Sequence, residues 1–167
     1  MAIATKSESM FSARIDLSRD VRQQMIELLN QQLADTFDLY SQTKQAHWNV
    51  KGAQFIALHE LFDKLAAELA GYADSIAERA TALGGLARGT VRLAAVHSQL
   101  PEYPLDAVAG LAAVEALAER YGALANSVRS AIDITHEAGD AASEDLLTEV
   151  SRELDKVLWF LEAHLQA

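Results

Sequence analysis

The sequence predicts an all-α protein, four long amphipathic helices in one bundle. Three observations carry this. Half of the 167 residues are apolar, and Ala, Leu, Glu and Gln, all good helix formers, are abundant. The only prolines, Pro101 and Pro104, sit together, so the long stretches on either side run without a helix breaker. Apolar residues recur at helical spacing through each of those stretches. A chain of this length suits one domain with a sizeable core.

Residues 1–16 are polar and irregular and read as a flexible tail before a bundle spanning 17–167. Ser18 is the expected N-cap of a first helix, with Asp20 in its first turn. Val21, Leu28, Leu29, Leu33, Phe37 and Tyr40 supply its apolar face, and it should run to about His47–Asn49, with Gly52 ending it. A second helix starts near Gln54–Phe55 and passes through Leu58, Phe62, Leu65, Leu69 and Ile76 to Leu83, where Gly84 and Gly85 stop it. Residues 84–105 form a crossover in which VRLAAVHSQL has the composition of a short helix. Asp106 is the expected cap of a third helix, through Leu111, Leu117, Tyr121, Leu124 and Val128, that ends near HEAGD. The fourth begins near Ser143 and carries the stripe Leu147, Val150, Leu154, Val157, Leu158, Leu161 and Leu165. Two helical hairpins joined by one long crossover make the ferritin-like arrangement of a four-helix bundle, here with a short helix between helices 2 and 3.

The formal net charge of −10 argues against nucleic-acid binding by overall electrostatics and suits attraction of cations. The chain has no cysteine, which excludes disulfides, thiolate zinc sites and iron–sulfur clusters. The N-terminus lacks the apolar core of a signal peptide, and no stretch has the apolar length of a membrane span, so the expectation is a soluble, cytoplasmic protein.

The second helix carries the chemistry. His59 and Asp63 are four residues apart and share a helical face, as do Asp74 and Glu78. The pairs are offset by 15 residues, about 60° around the helix but about 22 Å along it. Metal–ligand bonds of about 2 Å cannot span that gap, so one helix cannot bring both pairs to one ion. Either each pair finds partners elsewhere in its own bundle, or two copies of the helix lie antiparallel about a two-fold axis near Glu68–Leu69, giving two identical shared sites. His47, at the end of the first helix, is placed to join one of them. Imidazoles and carboxylates without sulfur suit Fe(II), Mn(II) or Zn(II). The ordinary alternative is a set of solvated helix faces, with Glu78 paired to Arg79 and His47 serving as a helix C-terminal cation.

The segment HWNVKGAQFIALHELFDKLAAELAGYADSIAERATALGG closely resembles the signature of the Dps family, the mini-ferritins, and the resemblance continues through YPLD, ERYGALANSVR and SRELDKVLWFLEAHL, over roughly residues 18–166. It implies a hollow homo-dodecamer built from two-fold dimers, Fe(II) and hydrogen peroxide or dioxygen as substrates, peroxide being preferred, and storage of ferric mineral. It assigns His47, His59, Asp63, Asp74 and Glu78 as catalytic iron ligands at an inter-subunit ferroxidase site, with Zn or Mn as surrogate metals, and Trp48 beside that site. It also implies an acidic iron-uptake pore near the join of the last two helices, for which Asp140, Glu144 and Asp145 are the candidates. Full-size ferritins use Glu-x-x-His motifs inside one subunit. None of the five histidines here has Glu three positions before it: Lys44, Ile56, Ala94, Asp133 and Leu161 stand there.

One feature departs from family members that bind DNA through lysine-rich tails. Residues 1–16 hold Lys6 and Arg14 against Glu8 and Asp16, and the C-terminal EAHLQA is not basic. Counterion release needs cations on phosphates. Direct, tight DNA binding is therefore disfavoured, as is the competing reading of a DNA-compacting architectural protein with a secondary metal site; association with the nucleoid stays open.

Overall fold

The computed structural model describes residues 10–166, which form five helices: α1 (Arg19–Asn49), α2 (Phe55–Ala82), α3 (Val91–His97), α4 (Gly110–Ala138) and α5 (Ala141–Leu165). α1 packs along α2 and α4 along α5, giving two antiparallel hairpins, and the short α3 lies in the crossover between them. This is the expected all-α, ferritin-like four-helix bundle.

Local chemistry sets the helix ends. The Ser18 hydroxyl accepts from the Val21 amide at 3.2 Å, as an N-cap should. α2 stops where Gly84 takes a positive φ of 91°. A Cβ there would stand 2.5 Å from the Phe11 carbonyl oxygen, so only glycine fits. The Phe11 amide donates to the Gly84 carbonyl at 2.8 Å, and Met10, Ile15 and Leu17 pack on the apolar cluster of Met25, Ile26, Leu29, Ile76 and Leu83. The expected tail is therefore divided. Residues 10–17 lie against the bundle, and residues 1–9 fall outside the described residues.

Two helix starts differ from expectation. Asp106 does not cap α4, which begins at Gly110 after Ala109. Residues 104–108 are held in turns instead, with the Ala107 amide on the Pro104 carbonyl and the Val108 amide on the Asp106 carbonyl. The chain then pairs in parallel with Lys51: the Lys51 amide donates to Val108 at 2.8 Å, and the Gly110 amide donates to Lys51 at 3.1 Å. That bridge ties the start of α4 to the α1–α2 turn. α5 begins two residues before Ser143 because Asp140 is its cap. One Asp140 oxygen accepts the Ser143 amide at 3.1 Å and the other the Ser143 hydroxyl at 2.5 Å.

The core runs the length of the bundle, with Leu39, Leu58, Phe62, Leu65, Leu69, Leu117, Tyr121, Leu124, Leu147, Val150, Leu154 and Leu161 all buried. Two arginines, buried Arg120 and part-buried Arg79, fasten the ends. Arg120 donates to the Gln42 amide oxygen at 2.9 Å, to the Ala116 carbonyl at 2.7 Å and to the Glu102 carbonyl, so α4 grips α1 and the crossover together. Arg79 on α2 donates to Asp140 at 2.6 Å and to the Ser143 hydroxyl at 2.9 Å, locking α2 to the α4–α5 turn.

Asp140 is 1% exposed, so its ion pair is screened little by solvent. Asp140→Ala removes a cap and strands the Arg79 charge, and should cost about 3 kcal/mol. Breaking the exposed Arg129–Asp155 pair, with two oxygens at 2.8 Å, should cost less than about 1 kcal/mol. Chemical denaturation of both variants at matched protomer concentration checks that order.

Candidate metal centre

The last turn of α1 and the first turns of α2 face each other across the five-residue connection, residues 50–54. His47 and His59 meet there with stacked rings, centroids 3.8 Å apart and planes 21° from parallel. Each imidazole bonds the other's main chain: His47 Nδ1 lies 2.8 Å from the His59 carbonyl oxygen, and His59 Nδ1 lies 2.9 Å from that of His47. A carbonyl oxygen only accepts, so both Nδ1 atoms carry the proton. In the neutral rings Nε2 is then the bare, metal-binding nitrogen. The His47 carbonyl is also one of the last in α1, where helical partners run out, so the contact satisfies an otherwise free acceptor.

Asp63 stands one turn beyond His59. Its Oδ1 lies 3.8 Å from His47 Nε2 and 2.7 Å from Lys44 Nζ. The hydrogen bond and charge of Lys44 hold the Asp63 carboxyl below the usual aspartate range, and His47 and His59 pull the same way. The carboxylate side chain is 61% exposed, so it faces outward rather than into the bundle. Trp48 is 66% exposed, and Lys44 Nζ sits 5.7 Å from its ring centroid. Phe55 and Ile56 add further exposed apolar surface at the same end, with the Phe55 ring 5.2 Å from His59.

Asp74 and Glu78 lie farther along the same unbroken helix and are exposed. Thus the fold brings His47, His59 and Asp63 to one end of α2 and leaves Asp74 and Glu78 at the other. Among the described residues, no three His, Asp or Glu side chains of one protomer are grouped closely enough to hold a metal. Beside Asp74 lies a groove of about 420 Å³ whose lining includes Leu33, Phe37, Tyr40, Ala70, Ala73 and Ala77.

Arg79 turns to Asp140 rather than to Glu78, which leaves Glu78 without a cation partner among the described residues. Of the three pore candidates, Asp140 is buried and occupied by Arg79 and Ser143. Glu144 lies 3.2 Å from His136, and Asp145 is exposed. Sequence reasoning missed the roles of Lys44 and Arg120, and offered Glu78 rather than Asp140 as the partner of Arg79. Lys44 is three residues before His47 and hence on the same face of α1, which was the signal for it.

A ferritin-like domain family model matches residues 26–167. The DNA protection during starvation protein of Agrobacterium fabrum is 48% identical over 151 residues, covering 90% of this chain and 93% of that protein. This chain belongs to the Dps family. A second Dps relative, DNA protection during starvation protein 2 of Bacillus anthracis, is 36% identical over 146 residues, covering 87% of this chain and 99% of that one. Among solved structures, Mycobacterium smegmatis Dps in its tetragonal form superposes with a TM-score of 0.89 at 32% identity, over 93% of this chain and 95% of that one. The Dps of Vibrio cholerae, described as a member of a broad superfamily of ferritin-like diiron-carboxylate proteins, matches with a TM-score of 0.88 at 27% identity, over 96% of this chain and all of the other.

The ammonium of Lys44 takes up the side of Asp63 nearest His47. Lys44→Met should therefore tighten binding of cobalt(II), a redox-silent probe, by a few-fold. Calorimetric titration checks this; weaker binding would mean that Lys44 organises the ligands instead of opposing the cation.

Proposed function

We propose that this protein is a Dps-type ferroxidase and iron store. It oxidises Fe(II) with hydrogen peroxide in preference to dioxygen and keeps the ferric product as mineral inside a hollow dodecamer. The observation that carries the reading is the division of the ligand set. His47, His59 and Asp63 form a half-site at one end of α2, Asp74 and Glu78 form another at the far end, and the helix between them is continuous. Two copies of α2, antiparallel about an axis beside Glu68–Leu69, set each half against the complementary half of the partner. Small side chains line the groove beside Asp74, where Ala70 is exposed and Ala77 partly so, which suits the close approach that this requires.

In this reading iron is the substrate. The proton on each Nδ1 commits both Nε2 atoms to the incoming cation, so the two imidazoles bind without rearranging. Asp63, kept ionised by its neighbours, and Asp74 and Glu78 supply hard oxygen donors that favour Fe(III) over Fe(II) and so draw the electron outward. Peroxide takes two electrons, one from each of two ferrous ions; its O–O bond breaks and its oxygens take up protons to become water, while hydrolysis of the ferric ions by water to oxyhydroxide releases more protons than that step consumes. Glu144 and Asp145, at the start of α5, are the remaining candidates for guiding iron inward. Protection of DNA follows from removal of Fe(II) and peroxide together, the reagents of hydroxyl-radical chemistry.

His59→Ala combined with Asp63→Ala should abolish rapid peroxide-driven oxidation in stopped-flow assays while leaving the oligomer mass unchanged. Unaltered kinetics in a metal-free preparation of that variant reject the ligand assignment. With a net charge of −10 per chain, the protein should not retard duplex DNA in gels at neutral pH and physiological salt without bridging divalent metal; tight binding there would show that DNA is coated directly.

A further inference from the structure

A groove of about 470 Å³ lies where α1, α4 and the crossover meet, and the metal reading does not use it. Its polar lining consists of carboxamides and hydroxyls alone: Gln31 and Gln32 on α1, Asn126, Ser127 and Ser130 on α4, and Gln99 in the crossover. Among the described residues no charged side chain lines it. The charges closest in sequence are turned elsewhere. Arg129, on α4, is held by both oxygens of Asp155 at 2.8 Å. Asp35, on α1, is 1% exposed and accepts the Gln31 amide at 3.1 Å. The groove therefore offers no counter-charge to an anion or a cation.

Gln32 is the anomaly in this lining. It is 4% exposed, and its Nε2 donates to the Ser127 hydroxyl oxygen at 3.0 Å. Its Oε1 has no partner among the described residues. A buried carboxamide oxygen ordinarily has a donor, so this one is suited to receive a hydrogen bond from a ligand. Ser127 accepts from Gln32, and its own hydrogen is left to give to a further acceptor. An acceptor and a donor thus stand side by side. A ligand hydroxyl matches both, because it donates and accepts through one oxygen. Leu28 and Ile134, the latter 39% exposed, add apolar wall to the same groove. A sugar ring has both characters, hydroxyls at its rim and C–H groups on its faces.

We propose that this groove binds a neutral polyhydroxylated molecule of the size of a mono- or disaccharide. One ligand hydroxyl donates to Gln32 Oε1 and accepts from Ser127, the other carboxamides and Ser130 take its remaining hydroxyls, and Leu28 and Ile134 pack on its C–H face. The volume falls in the range of small-molecule sites. The lining comes from both hairpins and the crossover, so a bound ligand bridges them and opposes their separation. None of the lining residues is a metal-ligand candidate, so this site stands or falls apart from the iron reading.

The test is saturation-transfer NMR on the assembled protein, with maltose as the probe. Wild type should transfer saturation to maltose, with a dissociation constant on the order of millimolar. Ser130→Tyr, a change at an exposed position that fills the groove, should abolish the transfer. Gln32→Met, similar in length but without the carboxamide, should weaken binding by about five- to tenfold, the worth of one hydrogen bond. Both variants should keep the oligomer mass of wild type. Thermal unfolding gives a second readout. Maltose should raise Tm more in wild type than in Ser130→Tyr, whose rise reports only the general exclusion of sugar from protein surface. No transfer to maltose in wild type, equal transfer in wild type and Ser130→Tyr, or equal Tm shifts in the two overturn the proposal.

Discussion

A helix is a ruler, and α2 is used as one. Its fixed rise sets His59 and Asp63 apart from Asp74 and Glu78 by a length that no side-chain rotation can close. The rest of the fold holds that ruler steady at both ends. At one end the reciprocal imidazole-to-carbonyl bonds join α1 to α2, and the Lys51 bridge to Val108 and Gly110 braces the turn between them. At the other, Arg79 pins α2 to the α4–α5 turn through Asp140 and Ser143. Both ends are fixed by directional bonds to main chain or buried carboxylate, which is how a bundle keeps functional groups in place without loops to carry them.

Much of this was legible in the sequence because helices advertise themselves. Apolar periodicity located all four long helices, Ser18 announced the start of α1, and Gly84–Gly85 announced the end of α2. The shared faces of His59 with Asp63 and of Asp74 with Glu78 were legible for the same reason: a four-residue spacing on a helix has only one geometric meaning. What stayed hidden were partners distant in sequence. Nothing local says that Arg79 chooses Asp140, 61 residues away, over its neighbour Glu78. Asp106 has the chemistry of a cap, but the chain after it is drawn to Lys51, and a main-chain bridge outranks a capping propensity. The mutual bonding of His47 and His59 depends on how two helices lie, which no periodicity encodes.

The distribution of charge completes the picture. Of the chain's 14 Lys and Arg residues, Lys44, Lys64, Arg79, Arg88, Arg120, Arg129 and Lys156 are engaged with carboxylates inside the protomer. The other seven stand in a chain with 24 Asp and Glu residues, so the surface is net acidic and poorly suited to phosphate. The acidic excess is left facing solvent, where it concentrates cations instead.

The separation of the molecule into two hairpins has a kinetic side. Contacts within α1–α2 and within α4–α5 join neighbours in sequence and close quickly, as local helical contacts do. The crossover is different: Gln42 and Asp35 hold it to α1, but Arg120, on α4, reaches Gln42 and the Glu102 carbonyl only once the second hairpin has docked. That last clasp therefore forms late in folding and is released early on unfolding.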